Sequence, residues 1–201
     1  ITTCPFSQTS IFEINLATLK ADTLIKEDAY INNASYSPDG KQLLVLGSPE
    51  AFGGIGKNCG SLPIANDFDV QAYLFERASS KVTPISKVFN PTINSANWNR
   101  ADGNIYFQVT DEDCERIYRY IVKTASYERL PLEEDVVKNF SLAADAPQVA
   151  AYVGGGNYSS GVAYMYDNKK SQSTLFANPM ADVYKAIELG EMSEWNFTAA
   201  D

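Results

Sequence analysis

The sequence predicts an all-β protein, a β-propeller fragment of about three to four four-stranded antiparallel blades. Three observations carry this. A turn signal, Ser37-Pro-Asp-Gly40, precedes an unbroken apolar run, Leu43-Leu-Val-Leu46. The aromatic residues Phe12, Tyr73, Tyr118 and Tyr164, one on each predicted third strand, stand 61, 45 and 46 residues apart. Tyrosine (12) and phenylalanine (10) are abundant, and both favour strands. A regular period near 45 residues is the mark of propeller blades, and the one long interval contains an insertion. An antiparallel sandwich with similar hairpin turns is the competing arrangement. The regular period favours the propeller.

The elements follow in order. Ile11-Phe-Glu-Ile14 and Thr23-Leu-Ile25 read as the last two strands of a partial blade over residues 1–28, with 1–10 belonging to its second strand and loop. The next blade spans 31–87. Its first strand is Asn33 to Ser37. Pro38 presets a φ near −65° and Gly40 accepts a positive φ, so the chain reverses tightly there. The second strand is Gln42 to Leu46; its continuous apolar character suits a strand covered on both faces. A long insertion rich in Gly, Asn, Ser and Pro runs from Gly47 to Asn66. Val70 to Glu76 is the third strand and Lys81 to Ile85 the fourth, where Pro84 fits only at a sheet edge.

A third blade spans 89–133. Asn97-Trp98 leads into the turn Ala101-Asp-Gly103, followed by strands Ile105–Val109, Ile117–Val122 and Tyr127–Leu132. A fourth spans 136–178, with Phe140–Leu142, a worn turn at Ala144-Asp-Ala-Pro147, Val149–Val153, a flexible loop at Gly154–Gly161, then Val162–Tyr166 and Thr174–Ala177. Residues 1–181 thus form the blades. Residues 182–201 break the pattern: Val183–Ile187 reads as a short strand or a turn of helix, and Glu191–Thr198 as an exit strand.

Composition narrows the function. The chain has 201 residues, 45% hydrophobic, enough for one substantial core. Its net charge of −9 and lack of a basic stripe argue against nucleic acid. No apolar window reaches the roughly 18 residues of a membrane span. Beginning at Ile1 without a methionine or signal-like segment, the chain reads as a processed form or a fragment. Cys4, Cys59 and Cys114 are odd in number and widely spaced, which argues against a disulfide framework or a zinc site; one pair would bridge only in an exported chain. There is no histidine. A Ser-His-Asp triad, a Cys-His pair and any histidine metal site are therefore excluded within this chain.

Several residues then carry a resemblance. Ser37-Pro-Asp-Gly-Lys41 before an apolar strand resembles the blade motif of Tol-type and peptidase propellers. Gly47-Ser-Pro-Glu-Ala-Phe-Gly-Gly-Ile-Gly56, Val82-Thr-Pro-Ile85 before Phe89-Asn-Pro91, and Glu194-Trp-Asn-Phe-Thr-Ala-Ala-Asp201 narrow it. Together they resemble the C-terminal part of the propeller in the prolyl oligopeptidase family of serine peptidases, the dipeptidyl peptidase IV branch especially. The resemblance implies a non-catalytic propeller that gates and positions peptide substrates for an α/β-hydrolase domain in cis, in a periplasmic or secreted exopeptidase. It implies no cofactor. The Gly-x-Ser-x-Gly elbow and the catalytic Asp and His are absent from this chain, so no catalytic residue is assigned. The family's substrate-amine glutamate pair is not carried over to Glu133-Glu134, which follow an outer strand.

Candidate sites are few. Glu50 and Phe52 lie in the long insertion, and insertions gather on a propeller's working face. There Glu50 would attract a substrate ammonium and Phe52 line the pocket; a solvent loop or an inter-domain packing contact is the alternative. Asp111, Asp113 and Glu115 mimic the start of a calcium loop, but Arg116 and Val122 stand where Gly and Glu are needed, so a solvated acidic loop is expected and no metal. Gly154-Gly-Gly156 lacks the lysine and helix of a phosphate loop. The sequons at Asn33, Asn139, Asn157 and Asn196 read as chance, since a glycan would not fit on the inner strands that hold Asn33 and Asn139. Tyr36 and Trp98 read as core between blades. A free-standing scaffold that binds a protein or glycan partner is the second functional reading, and a two-carboxylate glycosidase the third. An incomplete ring exposes apolar faces, so self-association is expected.

Overall fold

The computed structural model describes residues 8–60, 69–146, 149–190, 193 and 195–198. Cys4, the expected strand before Ser10, residues 61–66 of the insertion, and Glu191, Met192, Glu194 and Ala199–Asp201 of the expected exit segment lie outside them. The chain divides into two compact units, Ile1–Leu130 with Ala144–Pro147, and Pro131–Ala143 with Gln148–Asp201.

The first unit is built from antiparallel strands. β1 (Ile11–Ile14) and β2 (Ala21–Ile25) form a hairpin. β3 (Ile31–Tyr36), β4 (Gln42–Gly47), β5 (Gln71–Glu76) and β6 (Val82–Pro84) form a four-stranded sheet in chain order. β7 (Thr92–Trp98), β8 (Ile105–Asp111), β9 (Cys114–Ile121) and β10 (Ser126–Arg129) pair successively in the same way. A short helical turn, α1 (Ala51–Gly54), sits in the insertion after β4.

The β3–β4 turn forms as the sequence dictates. Gly40 takes a φ of 69°, and its N–H donates to the Ser37 carbonyl at 2.9 Å. The buried Ser37 hydroxyl accepts from the Gln42 N–H and donates to Asp39, closing the turn from inside. Beyond it the apolar run divides between two cores. Leu43 and Val45 face a cluster with Tyr73, Phe75, Ile25 and Ile31, so one sheet face is covered by the β1–β2 hairpin. Leu44 and Leu46 face a second cluster with Ile93, Ile105, Phe107 and Val109, so the other is covered by β7 and β8. Coverage on both faces is what the unbroken run predicted. Pro84 lies on β6, the sheet edge, where a missing N–H costs no ladder bond.

The second unit pairs β11 (Val136–Leu142), β12 (Val149–Gly155), β13 (Val162–Asp167) and β14 (Gln172–Ala177) in succession. Tyr152 stacks on Tyr164 at 5.0 Å, and the Tyr152 hydroxyl accepts from the Glu133 N–H. One face of this sheet is an open groove of about 460 Å³, walled by Phe140, Val153, Met165 and Phe176, with Phe176 74% exposed. α2 (Ala181–Lys185) is a single helical turn, one of the two forms expected at Val183–Ile187. The described residues 195–198 are not in a strand, so the exit strand expected over Glu191–Thr198 is not formed there.

Several expectations are corrected. β7 begins at Thr92 and β11 at Val136, well before the predicted starts. Their early residues include Asn94, Ser95, Lys138 and Asn139, which are exposed and so leave no apolar alternation to read. Gly154 and Gly155 belong to β12 rather than to a loop. A Cβ at Gly154 would lie 2.8 Å from the Glu134 Cβ and 2.9 Å from the Val136 carbonyl, so packing demands glycine there. The acidic loop is a tight β8–β9 hairpin instead. Asp111 and Glu115 are strand residues, and Glu112 takes the positive φ of 57°. Tyr36 is 50% exposed, not core; its hydroxyl donates to Glu13 at 2.8 Å and Arg77 lies over its ring. Trp98 does pack against the second cluster. Asn33 and Asn139 lie on strands β3 and β11 as expected, but are exposed there.

Candidate functional site

The insertion between β4 and β5 is anchored by close backbone contacts. At the end of β4 a Cβ on Gly47 would meet the Tyr30 carbonyl at 2.6 Å, so only glycine lets the chain turn out there. The Ser48 N–H then donates to the Tyr30 carbonyl, and the Ser48 carbonyl accepts from the buried Tyr73 hydroxyl at 2.7 Å. Burial, with Asp28 and Glu50 nearby, pushes the Tyr73 hydroxyl well above the usual tyrosine range, so it stays a donor.

Both predicted site residues fall on this anchored stretch. Phe52 is in α1 with a φ of 56°, a conformation that disfavours any side chain. Its N–H donates to Asp28 Oδ2 at 2.6 Å and its ring meets Tyr73 edge-on at 5.3 Å, which holds it there. Glu50 is two residues earlier. Its carboxylate is ion-paired with Lys57, and its side chain is 21% exposed. A substrate ammonium at Glu50 would therefore have to displace Lys57.

A polar pocket of about 230 Å³ lies beside them, between the insertion and the β6–β7 connection. Sequence reasoning missed it, because Lys57, Asn58, Asp69, Gln71, Lys87 and Asn90 converge from segments separated along the chain. Gln71, the first residue of β5, is 9% exposed, and its Oε1 has no hydrogen-bond partner among the described residues. The backbone of Gly56 passes close by: a Cβ there would stand 2.6 Å from Gln71 Oε1 and collide with the Tyr73 hydroxyl. Lys87 Nζ donates to the Ile55 carbonyl at 3.1 Å.

The other candidates are committed to structure. Asp111 accepts from the Tyr118 hydroxyl at 2.7 Å, and Arg116 Nε is 3.9 Å away. Burial and the Asp111 carboxylate push the Tyr118 hydroxyl up to about 12. Arg116 donates to Cys114 Sγ at 3.0 Å, and neither Cys59 nor Cys114 is in a disulfide. Glu134 accepts from Ser159 Oγ at 2.6 Å and from the Tyr164 hydroxyl at 2.8 Å, which binds it to its own sheet. Among the described residues no group of three His, Cys, Asp or Glu could hold a metal, and no helix is long and apolar enough to cross a membrane.

No protein-family model and no curated protein matches the chain. Solved structures do. TolB from Acinetobacter baumannii superimposes with a TM-score of 0.61 at 18% identity, over 85% of this chain and 38% of that one. The acylaminoacyl peptidase of Pyrococcus horikoshii gives 0.64 at 14% identity, over 91% of this chain and 25% of that one. The β-propeller domain of the Trilobed protease from Pyrococcus furiosus gives 0.60 at 15% identity, over 87% of this chain and 47% of that one. This chain spans less than half of each of these proteins, and at such identities the likeness is one of fold. Mostly antiparallel β-sheet with propeller-domain and peptidase neighbours, the chain has the fold of a β-propeller segment.

Proposed function

We propose that the chain is a non-catalytic propeller segment of a periplasmic or secreted serine exopeptidase of the prolyl oligopeptidase family, in its dipeptidyl peptidase-like branch. One observation carries the reading: a propeller fold shared with peptidase structures in a chain with no histidine, so that a Ser-His-Asp triad would need a histidine from outside these 201 residues; in this reading an α/β-hydrolase domain in cis supplies it. The sheets β3–β6, β7–β10 and β11–β14 serve as blades, and β1–β2 as part of another. Residues 182–201 lead toward the catalytic domain. The propeller limits entry to short or unfolded peptides. Glu50 and Phe52 contact the substrate, Glu50 by exchanging Lys57 for the substrate ammonium.

Incubating the isolated chain with an aminoacyl-proline or aminoacyl-alanine anilide tests this. No turnover is expected; hydrolysis that survives repurification would overturn the assignment. The isolated chain also self-associates in this reading, because Leu16 (86% exposed), Leu19 (78%) and Phe176 (74%) leave apolar surface uncovered. A concentration-independent monomer by light scattering would contradict it. The TolB likeness favours a second reading, a free-standing scaffold for a protein or glycan partner, in which no peptidase shares the polypeptide.

A further inference from the structure

We propose that the free edge of β14 pairs antiparallel with the same strand of a second copy of this chain, across a two-fold axis. The proposal rests on the self-association expected of the isolated chain and names the surface that carries it. β14 ends its sheet. Among the described residues its one ladder neighbour is β13, so the backbone groups along its other side face no strand. A bare edge of this kind is a template for a further strand.

The other fourth strands are blunted and this one is not. β6 has three residues and ends on Pro84; β10 has four and carries Glu128 and Arg129. β14 has six, Gln172-Ser-Thr-Leu-Phe-Ala177, with neither charge nor proline, and five of them are exposed. Leu175 and Phe176, 57% and 74% exposed, flank the edge with apolar surface. β3 and β7 also end sheets, but they present Asn32, Asn33, Asn94 and Ser95 to solvent, polar side chains that water satisfies.

Three features select a second copy as the occupant. A strand paired antiparallel with itself is self-complementary, as a two-fold interface requires. The chain carries a net charge of −9, yet between Val162 and Ile187 three lysines stand against two aspartates, so acidic copies approach here without net repulsion between acidic surfaces. Phe176 also walls the open groove on the same sheet with Val153 and Met165, so the contact continues from the edge onto the sheet face. The irregularity opposite Ala163 and Tyr164 leaves Gln172–Leu175 as the regular stretch for the new ladder.

Sedimentation equilibrium of the 201-residue chain, with amide hydrogen exchange at low and high protein concentration, tests the proposal. A monomer–dimer equilibrium is expected, and the amides of β14 should exchange more slowly at the higher concentration. Leu175→Lys, on an exposed side chain, brings like charges together across the new ladder. It should weaken the dimer by about tenfold or more and leave the urea midpoint unchanged. Leu16→Lys removes an 86% exposed apolar residue from the β1–β2 turn and should leave the dimer as it is. A monomer up to about 1 mM, β14 amides indifferent to concentration, or a dimer weakened by Leu16→Lys and not by Leu175→Lys would each overturn the β14 interface. The last result leaves self-association itself standing, so the two claims fail separately.

Discussion

Leu43 and Leu44 are adjacent on β4, yet they point into different cores. Leu43 is 3% exposed in the cluster with Tyr73 and Phe75, and Leu44 is 2% exposed in the cluster with Ile105 and Phe107. In a sheet with one solvated face, one of two neighbours would be cheap to truncate. Here neither is. Leu→Ala removes three carbons, roughly 2.4 kcal/mol of transfer free energy at ~0.8 kcal/mol each. The cavity left behind raises this to ~2–5 kcal/mol. With a urea m-value of about 2 kcal/mol/M, each variant should lose ~1–2.5 M in midpoint. Trp98 packs on the second cluster and reports the first unit, whereas Trp195 is 75% exposed and adds a steady background. Leu19→Ala, at a 78% exposed position, is the control and should stay within about 0.5 kcal/mol. A cost below about 1 kcal/mol at either Leu43 or Leu44 would refute coverage of both faces, and the stacking of the sheets with it.

Two further outcomes follow from the geometry. Gly154→Ala places a Cβ against the Glu134 Cβ and the Val136 carbonyl, and should destabilise the second unit by ~1–3 kcal/mol in thermal or urea unfolding; a neutral result would contradict the packing at β11–β12. The Arg77 guanidinium and the Tyr36 hydroxyl hold Glu13 below the usual carboxylate range. A lowered folded-state value means stability that is present above the ordinary value of about 4.3 and lost as pH falls through the folded one. Glu13→Gln should therefore flatten the acid limb of stability against pH, and an unchanged acid limb would show that the pair contributes nothing there.

The parts of the fold legible in the sequence were those with a local cause. Gly40 and Ser37 fix their own turn, Leu43–Leu46 announce burial on two sides, and Pro84 marks an edge. Phe12, Tyr73, Tyr118 and Tyr164 do fall on β1, β5, β9 and β13. What was hidden had distant causes. Gly154 looks like a flexible loop residue until Glu134 is placed against it. Asp111 to Glu115 look solvated until Tyr118 and Arg116 claim Asp111. Tyr36 looks apolar until Glu13 and Arg77 meet it. The candidate site was half legible. The insertion that carries Glu50 and Phe52 is evident from its length. Lys57 at Glu50, Tyr73 under Phe52, and the pocket shared by Gln71 and Lys87 depend on contacts that no spacing encodes.

The central claim is that this propeller segment belongs to a serine peptidase whose nucleophile lies outside these 201 residues. The direct measurement is to isolate the native polypeptide that contains the segment and treat it with a fluorophosphonate probe. The account predicts covalent labelling of a serine on that polypeptide, beyond the 201-residue segment. A native, folded polypeptide that contains the segment and takes no label would contradict it.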